Sequence, residues 1–244
     1  QLEDDLKTYD SVSQNKARAA LLKVQLFALK GDFRSAEDIL NNIPADIQEK
    51  PEVMLAEANL LAAQDETTAA KAVLRDVLDK YPQNSLAARK LALQLSQEDK
   101  FDECEKLVLD FIEQCEDDSV KREMGIMLSG LYENNGKRGE AVNLLKNMSE
   151  KMPNDVPLKQ RILASADISV QEAQAIINDI KQITGEDGWQ WRYEQARLWY
   201  SSEDFDNLYT RITTLLKENL KQNPADQASR MLLAAVYEKA GERQ

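Results

Sequence analysis

The sequence contains no histidine. That removes the commonest general base, the commonest metal ligand and every nucleophile that relies on an imidazole partner. Glycine (8) and proline (6) are scarce in 244 residues, and no glycine-rich phosphate loop can be traced. No apolar run approaches the ~20 residues that a membrane-spanning helix requires. Basic residues are in the minority, 31 against 43 acidic ones, for a net charge of -12. A nucleic-acid binder needs the opposite, a basic face that displaces counterions. The acidity serves solubility, and it would attract a basic partner. There is no signal-peptide pattern. The chain starts at Gln1 and is expected to be a soluble piece of a longer protein, cytoplasmic or periplasmic.

Only two cysteines occur, Cys104 and Cys115. Read as members of one helix, they share a face but stand ~16 Å apart along the axis, too far to bridge. With Val108 and Phe111 beside them they read as reduced core thiols, and two thiols at this spacing make no zinc site. The carboxylate clusters Glu98-Asp99, Asp102-Glu103 and Glu116-Asp117-Asp118 fall in turns and first helical turns. Negative charge is favourable there, and no oxygen-rich loop with a central glycine marks a calcium site. No catalytic residue, metal or cofactor is expected, and the chain is not read as an enzyme.

What the sequence does contain is alanine, leucine, glutamine, glutamate and lysine, all good helix formers. They are arranged in a repeat. Ala36, Leu40 and Ile43 recur 34 positions later as Ala70, Leu74 and Val77, and 34 later again as Cys104, Val108 and Phe111. A step of 37 then reaches Ala141, Leu145 and Met148; the extra residues fall in the polar stretch around Glu116, where a longer loop costs little. Upstream of each set runs a small residue (Val24, Ala58, Ala92, Ser129, and Ala234 near the end) followed by a larger one (Phe27, Leu61, Leu95, Tyr132, Tyr237). Tight turns separate the two halves: Gly31-Asp32, Asp65-Glu66, Asp99-Lys100, Gly136-Lys137, Gly241-Glu242. Pro82, Pro153 and Pro224 stop helices in the same rhythm. Each copy is thus a pair of amphipathic helices that must stack on its neighbours to bury its apolar face.

With these residues in place, the chain from about Ala17 onward resembles the tetratricopeptide repeat family. Its pattern pairs a small and an aromatic residue on the first helix with A-x3-F on the second, at a 34-residue period. Leu128-Ser129, Tyr132, Gly136, Ala141, Leu145 and Pro153 carry the resemblance best, whereas the pattern's tryptophan is missing throughout. The resemblance implies an all-α, right-handed α-solenoid of stacked antiparallel helix pairs.

Leu2, Leu6 and Tyr9 suggest a flanking helix over residues 1–15. Repeats one to five are expected over 16–184. The fifth is irregular, with its turn at Ala166-Asp167-Ile168 and a capping box from Ser169 to Glu172. A sixth and a truncated seventh repeat fill 185–244 of the same solenoid. Gly185-Glu186-Asp187-Gly188 reads as a possible joint.

A tetratricopeptide stack implies a non-catalytic scaffold that takes a partner's peptide or helix in the concave groove of its first helices. The repeat alignment puts Arg18, Leu21, Gln25, Leu55, Asn59, Leu86, Arg89, Leu93, Ile126, Tyr193, Arg197 and Tyr200 on that groove. Asn59, Arg89 and Lys90 are too few polar groups for a chaperone-tail clamp, and leucine with alanine suits an amphipathic helix or apolar peptide. The other readings are an envelope accessory domain of a secretion or polysaccharide-export system, and a regulatory domain of a larger enzyme. Self-association through exposed solenoid ends is a further expectation. Trp189, Trp191 and Trp199 all fall in repeat six; Trp199 occupies the large inner slot and is expected in the core, the other two being open between core and ligand.

Overall fold

In a computed structural model the described residues are 16–165 and 168–241. They form fourteen helices and no strand: α1 (Lys16–Leu29), α2 (Phe33–Asn41), α3 (Ala45–Gln48), α4 (Pro51–Ala63), α5 (Thr67–Lys80), α6 (Ser85–Gln97), α7 (Phe101–Gln114), α8 (Asp118–Asn134), α9 (Arg138–Lys151), α10 (Val156–Leu163), α11 (Val170–Thr184), α12 (Trp189–Tyr200), α13 (Phe205–Gln222) and α14 (Gln227–Lys239). None is long and apolar enough to cross a membrane. The expected helix over 1–15, Ala166-Asp167 of the fifth turn and Glu242 of the last turn lie outside the described residues.

The chain divides into two compact bodies, one ending at Met124 and one starting at Gly125. In the first, α1 packs on α2, α4 on α5 and α6 on α7, while α5–α6 and α1–α4 contacts join successive pairs. In the second, α9 to α14 pack in chain order, the α12–α13 pair most extensively. This is the antiparallel pairing that the repeat predicts.

The close crossings are made by the small second-helix residues. Ala36, Ala70, Cys104 and Ala141 are all wholly inaccessible to solvent. Val24, Ala58, Ala92 and Ser129 of the first helices are buried as well. Ala234 is an exception and is exposed, because no described helix packs over that side of α14. The free Cys104 and Cys115 are both buried, and burial pushes the Cys104 thiol up to about 11. Cys115 is not helical: α7 ends at Gln114, and Cys115 caps it in an extended conformation, its thiol directed at the Asp117 carbonyl 3.6 Å away.

The turns inside the first four hairpins are one structure repeated. Gly31, Asp65, Asp99 and Gly136 have φ of 76°, 63°, 59° and 74°. In each turn the next residue's N–H returns to the carbonyl of the large first-helix residue: Asp32 to Phe27, Glu66 to Leu61, Lys100 to Leu95 and Lys137 to Tyr132, at 2.9–3.0 Å. The turn residue's own N–H bonds one carbonyl further on. These are Schellman caps, which need a left-handed residue after the helix. Asp32, Glu66, Lys100 and Lys137 then serve directly as N-caps of the second helices.

The links between hairpins repeat too. After Pro82, Pro153 and Pro224, a turn closed by Asn84, Asp155 and Asp226 leads into the next helix. Each of these side chains caps that helix, accepting from Ala87, Leu158 and Ser229 N–H at 2.9, 2.9 and 3.1 Å. The capping box of α11 forms as expected, with Ser169 and Glu172 bonding each other's backbone N–H at 3.1–3.2 Å. The short α3 was not predicted; it starts behind Pro44 and tucks Gln48 back onto the Ile43 carbonyl at 2.9 Å. Gly185-Glu186-Asp187-Gly188, read as a joint, is heavily bonded. Trp191 Nε1 donates to the Gly185 carbonyl at 3.0 Å, and Arg192 to the Glu186 and Asp187 carbonyls.

A buried ammonium ties two hairpins of the first body together. Lys71 on α5, 6% exposed, is paired with Glu98 at the end of α6, which Lys100 also contacts at 2.8 Å. Hydrogen bonds from Lys100 and then Lys71 hold the Glu98 carboxyl down to about 2.

Nothing lies within 4 Å of a Cβ added at Gly136, so Gly136→Ala should cost only its backbone strain, about 1 kcal/mol; Asp99→Gly should be neutral or stabilising by about 0.5 kcal/mol. Urea unfolding followed by circular dichroism distinguishes them, and equal loss in both variants would contradict the shared turn. Because the folded Glu98 carboxyl is depressed, its stabilisation is complete above its ordinary value near 4.5 and drains away as pH falls toward about 2. Glu98→Gln should therefore melt lower than the parent at pH 7, with the gap closing in acid.

Candidate functional site: a groove on the first helices

Where α1, α4 and the start of α6 come side by side, they enclose a groove of about 560 Å³. Six residues predicted for partner binding line it: Arg18, Leu21 and Gln25 from α1, Leu55 and Asn59 from α4, and Leu86 from α6. Their spacing explains the convergence, since positions three and four apart lie on one helix face. Leu55 forms part of the floor and is buried, whereas Leu86 is 49% exposed. Leu22 and Leu29, which were not predicted, add 39% and 80% exposed apolar surface on α1. Glu52 and Lys90 join Arg18 as the charged groups of the lining. The unpredicted leucines are one residue away from predicted ones or one turn beyond them, so a broader stripe on α1 would have found them.

The other six predicted residues do not line this groove. Arg89 is on the same helix as Leu86 but is paired with Glu123 at 2.9 Å. Leu93 is 41% exposed on α6 outside the lining. The remaining four belong to the second body. Ile126 packs against the Leu145–Ile162 cluster. Tyr193 packs against the Ala196–Ile212 cluster. Tyr200 stacks edge-on with Phe205 at 5.9 Å, and Lys239 sits over its ring at 4.8 Å. Arg197 donates to the Leu163 carbonyl at 2.9 Å and pairs with Glu194 at 2.7 Å.

A ladder missed in the sequence runs between first helices at the repeat spacing. Arg89 reaches Glu123, Gln160 reaches Glu194, and Arg197 reaches the Leu163 carbonyl, each 34 positions apart. For the first two the signal was a polar residue on the inner stripe of both neighbouring first helices; the third ends on a backbone carbonyl, which no side-chain pattern marks. Such contacts use up several of the groups that a ligand would otherwise meet.

Helix pairs with small residues at their crossings, left-handed turn residues and this 34-residue ladder make up a single repeated architecture. The fold is tetratricopeptide-like. Among solved structures, the chain is similar to a tetratricopeptide repeat protein from Parabacteroides merdae (13% identity over 96% of this chain and 90% of that one, TM-score 0.44). It is similar to the Pseudomonas aeruginosa protein pilF (13%, 89% and 96%, TM-score 0.48). It is also similar to YrrB, a tetratricopeptide protein with an unusual peptide-binding site (14%, 76% and 94%, TM-score 0.44). No protein-family model matches the chain, and no curated protein matches it.

The tetratricopeptide-like core of the second body holds one buried carboxylate, Glu194, 5% exposed. Burial raises its carboxyl above the ordinary value, against the opposing pull of Arg197 and Gln160. A raised acid destabilises the fold wherever it is ionised, and the penalty lifts as pH falls through the folded value toward 4.5. Glu194→Gln should keep a polar partner for Gln160 and melt above the parent at pH 8, with the advantage shrinking toward pH 4.5. A lower melting point across the whole range would show that the Arg197 pairing outweighs burial.

Proposed function

We propose that this chain is a non-catalytic scaffold that binds a partner's amphipathic helix or apolar peptide in the α1–α4–α6 groove. The observation that carries this reading is a continuous apolar floor and wall, with Leu22, Leu29 and Leu86 left open to solvent. Arg18, Glu52 and Lys90 stand among them. An amphipathic helix matches such a surface, because its apolar stripe fills the groove and its polar flank meets the charged rim. An apolar lining with a few placed polar groups is the usual make-up of a binding site.

Two features support a binding role over a chemical one. The sequence has no imidazole to act as base or ligand. The single buried carboxylate of the described residues, Glu194, is engaged by Gln160 and Arg197.

Selection from a random peptide library on the 244-residue chain tests the proposal. Selected peptides should carry apolar residues at helical spacing. Leu86→Glu, at a half-exposed position, should weaken them by about tenfold or more. Leu109→Glu, also at an exposed position, on α7, should leave them unchanged. Peptides indifferent to Leu86→Glu would place the binding face elsewhere.

A further inference from the structure

A groove of a different kind lies in the second body. It runs between the second helices α11 and α13, with α12 as its floor, and encloses about 440 Å³. Trp191, Gln195 and Trp199 recur every fourth residue along that floor, so all three lie on one helix face. Trp199, expected in the core, is only half-buried here. Lys181 stands over the Trp191 ring at 4.5 Å, and Arg211 over the Trp199 ring at 4.9 Å.

The repeat supplies its own comparison. The first body has the same groove between α5 and α7 over α6, about 380 Å³ in volume. Its floor is Leu91 and Leu95, 104 positions before Gln195 and Trp199. Carboxylates outnumber its cations: Arg75 faces Glu103 at 3.9 Å, Lys106 faces Asp110 at 2.5 Å, and Asp79 is a third acid of the lining. In the second body the lining has lost its carboxylates. Lys181 replaces Leu78, 103 positions earlier, the offset that also separates Ala173 from Ala70. At the 104-residue offset Arg211 replaces Leu107, while Thr210 and Thr214 replace Lys106 and Asp110. The lining then holds two cations and no carboxylate, in a chain whose net charge is -12.

We propose that the α11–α12–α13 groove is a second docking site, and that it takes a short acidic peptide segment bearing an apolar side chain. Two carboxylates meet Lys181 and Arg211, and the apolar side chain lies against the tryptophan rings. Among the described residues, Arg211 has no ion pair; its one recorded contact is the Trp199 ring. Lys181 pairs at 2.8 Å with Glu186, itself 82% exposed. So exposed a pair contributes little, and a ligand carboxylate can displace it. Charge complementarity of this sort sets specificity and rate of encounter. The surrounding acidity selects against a long polyanion, which would be repelled outside the groove, and leaves a short peptide as the matching ligand.

The test uses a blocked hexapeptide of alternating glutamate and leucine, its glutamine–leucine counterpart and a six-nucleotide oligothymidylate. Tryptophan emission of the 244-residue chain provides the signal. The glutamate peptide should shift it saturably, and salt should weaken that response. Lys181→Gln with Arg211→Gln should reduce affinity by about tenfold or more. Thr214→Asp, at an exposed position, restores an acid where the earlier groove has Asp110 and should do the same with no loss of melting temperature. Arg75→Gln, in the carboxylate-lined groove of the first body, should change nothing. The proposal is overturned by no saturable shift up to about 1 mM peptide, by equal binding of the glutamine peptide, or by tighter binding of the oligonucleotide.

Discussion

Close approach of two helix backbones is the constraint on which everything else in this molecule depends. At Ala36, Ala70, Cys104 and Ala141 nothing larger than a thiol stands at the crossing, and none of the four side chains touches solvent. A small residue there lets the larger neighbours, such as Leu74, Val108 and Leu145, interdigitate across the pair. The turn enforces the same geometry from the other side. A left-handed residue reverses the chain within two positions and delivers the second helix's cap in the same step. Packing and turn are therefore two expressions of one spacing.

That spacing also governs the polar contacts. Groups 34 positions apart stand at equivalent points on successive first helices, so Arg89 meets Glu123 and Gln160 meets Glu194. Where the partners match, these groups already have contacts within the chain. Where they do not, the face stays open, as beside Leu86 and Asn59 in the first body. The contrast between the two second-helix grooves has the same origin. Equivalent helices carry carboxylates beside their cations in one copy and cations alone in the other. In a repeat protein a binding site can thus arise by losing an internal partner, with no change of fold.

The polar groups inside the fold differ in what they contribute. Lys71 is buried but satisfied by Glu98. Glu194 is buried at a cost that its partners only partly offset. Removing Glu98 leaves the Lys71 ammonium buried and uncompensated, which is more damaging than never having had the pair. Asn219, almost wholly buried, links Ser229 of α14 and the Trp189 carbonyl at the start of α12. Such a contact fixes how three helices of the second body meet, where leucines alone would allow sliding.

The helix pairs, their small crossing residues and their turns were legible in the sequence, because each is a local pattern repeated at a fixed interval. Ala70 and Ala141 announce a crossing wherever they recur in phase. The boundaries that failed were those set by single residues: Cys115 leaves its helix, and Pro44 starts an additional one. The Pro-x-Asn/Asp links were present in the sequence at residues 82–84, 153–155 and 224–226 and needed only the capping rule to be read. The site was half legible. Periodicity puts Arg18, Leu55 and Leu86 on one face, but it cannot show that Arg89 and Arg197 are already engaged by Glu123 and the Leu163 carbonyl. Nor can it show that Trp199 lines a groove under Arg211, since the same slot is buried at Tyr132 but only half-buried at Phe27, Leu61 and Tyr237. Sequence fixes which face a side chain takes; only the packed neighbours decide whether that side chain is spent or available, since that depends on distances between helices that no local pattern encodes.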